Sequence, residues 1–212
     1  MHTRVLLLTC LLSASTVFAQ GVVNGSLTGP VGEAVLPSSW SGFSSDTWQP
    51  GGVVFSYGVY ASGIPASPDG GTFVSSVGVG TYQEWFSQNV SGLVPGESYV
   101  VTFHAANAGF LNTGGPYATE TGAGSIQVTL GGETQETPII THDGFGSQTW
   151  HTYSMTFTPS FSTLDLTFTA RDRIAEGGGA HRARMAVDGV QLTAQTVGNE
   201  ARAFGELKRL FR

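Results

Sequence analysis

Five ring-bearing residues stand among glycine, serine and proline rather than inside alternating apolar runs: Trp40, Trp48, Tyr57, Tyr60 and Tyr117. Indole and phenol rings in loops can stack on the apolar faces of sugar rings, while hydroxyls and amides around them set orientation. Trp48 and Tyr60 are the leading pair for such stacking. Trp85 and Trp150 begin strongly periodic stretches and are expected in a core.

A second group is Arg171, Asp172, Arg173, Glu176, His181, Arg182 and Arg184, which bracket a glycine-rich loop. Arg171, Arg173 and Arg182 could present forked donors to an acidic sugar or another carboxylate. The alternative is a hairpin tip whose charges pair with each other. Patterns for catalysis are absent from the sequence: it has no Gly-x-Ser-x-Gly elbow and no His-Glu-x-x-His helix. His142, Asp143 and His151 read as polar residues of a loop and a sheet surface. Asp69, Glu84, Glu120 and Asp188 show no pairing in sequence, although the carboxylate separation that glycoside hydrolysis needs is a spatial quantity.

The elements that must position these residues are strands. Branched and aromatic residues recur with period two over Glu84–Val90, Ser98–Ala106, Ser125–Leu130, Thr149–Thr158, Thr163–Ala170 and Arg184–Leu192, with turn residues between them. Pro95 and Gly96 suit the two central positions of a type II turn. Residues 29–71 read as loops with short strands. One-sided strands need a partner face, so the fold class is all-β, a two-sheet antiparallel sandwich.

Composition bounds the partners. Charged residues are 11% of the chain and glycines number 30 of 212, which describes a neutral, polar surface. Between Gly21 and Gln195 there are 13 acidic residues and 4 basic ones, so nucleic acid is excluded as a partner. Residues 1–19 have the positive start, apolar run and small-residue end of a secretory signal peptide, with cleavage expected after Ala19. The single cysteine, Cys10, lies in that signal, and no segment is long enough to span a bilayer as a helix. A secreted or cell-surface location follows. Residues 20–195 form the sandwich domain. Residues 196–212 form a basic tail, in which Phe204, Leu207, Leu210 and Phe211 predict a short amphipathic C-terminal helix that could serve export or anchoring machinery.

Asn24-Gly25-Ser26-Leu27, Ser67-Pro68-Asp69-Gly70-Gly71, Gln88 to Tyr99 and Met185 to Leu192 occur in the order seen in secreted galactose-binding-like jelly rolls, and the chain resembles that family from Val23 to Ala194. The resemblance implies a jelly-roll sandwich that hosts carbohydrate-binding modules and adhesive surface proteins. It also implies a structural Ca2+ joining the first strand to the last through Asp188 and oxygens around Asn24. Ser26 stands where the family has an acidic residue, so weak or absent calcium binding is expected. The functional expectation is a non-catalytic carbohydrate-binding module. A structural or adhesive protein is the alternative, and a polysaccharide hydrolase the third.

Overall fold

The computed structural model describes residues 21–55, 58–111, 119–173 and 182–195. Tyr57, Tyr117 and the segments expected to be a signal peptide and a helical tail lie outside them. The strands are β1 (Ser41–Phe43), β2 (Asp46–Trp48), β3 (Gly52–Phe55), β4 (Gly58–Ala61), β5 (Phe73–Val79), β6 (Tyr82–Gln83), β7 (Trp85–Ser91), β8 (Tyr99–Asn107), β9 (Gly124–Leu130), β10 (Glu133–Glu136), β11 (His151–Phe157), β12 (Thr163–Asp172) and β13 (Ala183–Ala194). Two antiparallel sheets carry the fold, ordered β1-β7-β12-β9-β10 and β11-β8-β13-β5-β2; β6 pairs with β5, and β3–β4 is a separate hairpin. Among the described residues no helix is long and apolar enough to cross a membrane.

Alternation explains the sheets. Tyr99, Val101, Phe103 and Ala105 of β8 face inward, as do Leu166, Phe168 and Ala170 of β12. They meet in one core in which Phe86 stacks on Phe168 at 5.1 Å and Phe103 meets Phe168 edge-on at 5.2 Å. Gly96, at φ +83°, makes the expected turn before β8.

Part of the outer face of the six-stranded sheet is buried as well. Ala106 and Ala186 are covered there by Trp48, Ile64, Phe73 and Phe110 in a second apolar cluster. Residues 29–71 are therefore partly a wrap over that sheet, not a set of exposed loops. β13 is consequently buried along most of its length, with β8 on one side and β5 on the other.

Candidate functional site

The chain changes sheet twice at one corner. After β1 in the five-stranded sheet, Ser44 (φ +56°) turns it into β2 of the other sheet. Glu84 makes the reverse crossing: its N–H donates to Val77 of β5, and its carbonyl accepts from Ala170 of β12. A cavity of about 310 Å³ opens beside these crossings, and its lining includes Asp46, Tyr82, Glu84, Glu120, Arg182 and Arg184.

Arg184 organises the floor. As a residue of β13 pointing to the outer face, it lies between the Trp48 ring at 5.3 Å and the Phe110 ring at 5.5 Å. Its Nη1 donates to Asp46 Oδ2 at 2.8 Å and its Nε to Glu120 Oε2 at 2.7 Å. Glu120 is held in place by backbone bonds in both directions with Phe110. Burial works against the charge on Arg184, but the carboxylates of Glu120, Asp46 and Glu84 outweigh it and hold its pKa above the ordinary range. Arg182 faces Glu120 at 3.6 Å.

Glu84 is only 5% exposed. Its Oε2 accepts from the Val77 N–H at 2.7 Å, and the Tyr82 hydroxyl donates to Oε1 at 3.3 Å. Burial pushes its carboxyl up to about 8, against the pull of Arg184.

Tyr82, in the cavity lining, leads to two further exposed rings. Phe43 and Trp85 are register partners across β1 and β7 and so project to the same, outer face. Phe43 meets Tyr82 edge-on at 5.6 Å. All three rings are exposed, at 47%, 43% and 39% for Phe43, Tyr82 and Trp85. Beyond Trp85 the register runs through Thr169 to Gln127, and the next row holds Ser87, Thr167 and Thr129. The sheet face next to the rings is thus made of hydroxyls and an amide.

This site is not the one anticipated from the sequence. Trp48 is fully buried under Arg184, and Trp40 is in the main core, edge-on to Phe86 at 5.2 Å, with its Nε1 donating to Asn24 O at 3.0 Å. Neither indole presents a face for stacking, because Trp40 is packed between the sheets and Trp48 covers the outer face of one. Tyr60 lies on β4 with its side chain outside the described part, and Tyr57 and Tyr117 lie outside the described residues. Trp85, expected in the core, is exposed because it falls on the outward phase of β7. Trp150 is half-buried, against Phe73 at 5.2 Å.

The arginines are engaged internally. Arg171 donates to Gln83, Arg173 pairs with Glu136, and Arg182 faces Glu120, all partners on other elements, while the tip of the loop lies outside the described residues. Of the four carboxylates weighed individually, Glu84 and Glu120 share the cavity, while Asp69 and Asp188 lie elsewhere. The sequence reading missed Phe43, Asp46 and Tyr82 altogether. An arginine at an alternating position of the last strand was the available signal, since such a residue on a covered face must find acids.

The residues expected to hold calcium fit poorly. Asp188 is fully buried, its Oδ2 takes the Ser67 hydroxyl, and its Oδ1 is buried with no hydrogen-bond partner. Burial pushes its carboxyl up to about 7. Asn24 offers no oxygen: Oδ1 accepts from Thr28 N, and its carbonyl accepts from Leu27 N and Trp40 Nε1. Calcium takes six to eight oxygens. Among the described residues no three His, Cys, Asp or Glu side chains are grouped to share an ion.

No family model and no curated protein matches the chain. Solved structures do. A cyclase from Fischerella sp. TAU is 14% identical with a TM-score of 0.50, covering 75% of this chain and 85% of that one. TmCBM61, in complex with beta-1,4-galactotriose, is 17% identical with a TM-score of 0.42, covering 74% and 90%. A CBM4 structure is 20% identical with a TM-score of 0.41, covering 82% and 99%. The structures similar to this chain therefore include carbohydrate-binding jelly rolls and Stig cyclases, and at these identities the likeness is one of fold.

Proposed function

We propose that this protein is a secreted or cell-surface module that binds carbohydrate at the corner between its sheets. A fold shared by binding modules and cyclases does not choose a function, so the reading rests on the site. The observation that carries it is the exposed trio of Phe43, Tyr82 and Trp85, of which Tyr82 lines the cavity and the other two continue from it onto the hydroxyl-rich face of the five-stranded sheet. Rings of this kind stack on the apolar faces of pyranoses, and the flanking hydroxyls exchange hydrogen bonds with the sugar's own. A glycan array on the mature domain tests the reading, with Trp85→Ala as control. Binding that falls at least ten-fold in the variant at an unchanged melting temperature supports it. Wild-type protein that binds matrix proteins but no glycan supports the adhesive alternative.

One observation favours a second reading, acid catalysis: Glu84 is a cavity carboxyl that stays protonated near neutrality. Binding is preferred because the two carboxylates beside Glu84 are held by internal donors, Asp46 by Arg184 and the Ala34 N–H, and Glu120 by Arg184. Turnover on labelled polysaccharides that is abolished by Glu84→Gln would reverse the order. For calcium we propose weak or absent binding. A chelator is expected to leave the melting temperature within about a degree; a larger drop, lost in Asp188→Asn, would reinstate the ion.

A further inference from the structure

We propose that the cavity takes the protonated amine of an amino sugar, with the ammonium on Glu84 and the sugar ring against Tyr82; this rests on the carbohydrate reading and names its ligand class.

Charge on the lining is the first argument. Among the described lining residues, the acids Glu33, Asp46, Glu84 and Glu120 outnumber the cations Arg182 and Arg184. Arg184 spends its donors on Asp46 and Glu120, and Arg182 faces Glu120 as well. An acidic sugar entering here would meet surplus carboxylate and guanidiniums already engaged. Arg171 and Arg173 do not change this, since they are turned to Gln83 and Glu136.

Glu84 supplies the second argument. Its hydrogen bonds come from neutral donors, the Val77 N–H and the Tyr82 hydroxyl. A nearly buried carboxylate without a hydrogen-bonded cation is costly, and the group responds by holding its proton up to about 8. A ligand ammonium brings the missing charge and three donors to a place where water is scarce. Tyr82, exposed above Glu84, adds a ring face that attracts a cation and stacks on a pyranose. A neutral sugar satisfies the ring but not the carboxyl. A simple amine does the reverse.

Calorimetry on the full chain at pH 7 decides it, using tetramers of glucosamine, N-acetylglucosamine and galacturonate. The glucosamine tetramer is expected to bind at least ten-fold tighter than its N-acetylated counterpart, with galacturonate weakest. Glu84→Gln, which keeps an acceptor for the Val77 N–H, should bring the first two within about two-fold. Glu133→Gln, on β10 at the opposite edge of the five-stranded sheet, should leave the preference intact. Equal binding of the three tetramers, tightest binding of galacturonate, or a preference lost equally in Glu133→Gln would overturn the proposal. If neutral or acidic tetramers bind in a manner lost with Trp85→Ala but show no amine preference, this inference falls and the carbohydrate reading stands. If spermidine binds through Glu84 while no saccharide does, the carbohydrate reading falls and the amine site stands. Binding of neither sinks both.

Discussion

Trp48 shows how a residue's type can mislead about its place. Flanked by Thr47, Gln49 and Pro50, it has the neighbours of a loop aromatic, yet it is fully buried between Arg184 and the apolar cluster on the outer sheet face. Trp48→Ala is expected to cost about 3–5 kcal/mol, the usual range for a buried large-to-small change, whereas Trp85→Ala should leave the denaturation midpoint unchanged. Urea titrations of the two variants check the contrast. Arg184→Leu removes the cation from Asp46 and Glu120 and should cost about 3–5 kcal/mol, because breaking a buried pair strands its partners. Glu84 and Asp188 give a pH signature. Each carboxyl has a folded pKa above its unfolded one, so its contribution is fully present below the unfolded value and lost as pH rises through the folded value. Stability should therefore decline between about pH 4 and pH 8 from these two groups, with Asp188 contributing up to about 7 and Glu84 up to about 8. Glu84→Gln should flatten the upper part of that decline, read as urea midpoints at pH 5 and pH 8.5.

At the scale of elements, what was legible in the sequence was what is local. β8 and β12 declare their buried faces by alternation, and the Pro95-Gly96 turn declares itself by two residues. The wrap over the outer sheet face did not, because its apolar residues are spread over a glycine-rich stretch and make sense only once Ala106 and Ala186 are known to lie beneath them. The corner was illegible for the same reason: β1–β2 and β6–β7 are far apart in sequence, and only the sheet order sets Phe43 beside Trp85. The partners of the arginines were illegible too, since Gln83, Glu120 and Glu136 lie far from that loop in sequence. The corner also imposes a tight approach. A Cβ on Gly78 of β5 would lie 2.6 Å from Asp172 N at the end of β12, and backbone cannot give way as a flexible side chain can. Gly78→Ala should lower stability by about 1–3 kcal/mol and disturb the cavity, whereas Gly132→Ala, whose Cβ meets nothing within 4 Å, should not. Thermal melts of both, with ligand titration of the folded fraction, check this.

For the whole molecule, the acidic sandwich and the basic tail invite separate treatment. Truncation after Gln195 is expected to leave the melting temperature of the sandwich intact and to alter surface location, if the tail is a sorting or docking signal; unchanged location in fractionated cells would remove that role. The order in which the sheets are assembled carries a further consequence. β13, the last strand among the described residues, lies between β8 and β5 in the middle of its sheet and supplies Met185, Val187, Val190 and Leu192 to the main core. A ribosome delivers the chain from the N-terminus, so during nearly all of synthesis β8 and β5 have no strand to join them, and the core has a gap along its centre. The nascent polypeptide must then stay open to proteases and chaperones until residue 194 has cleared the exit tunnel, and close in one late step. Nascent chains stalled with β13 still inside the tunnel should be digested as fast as unfolded polypeptide, and the released full-length chain should resist.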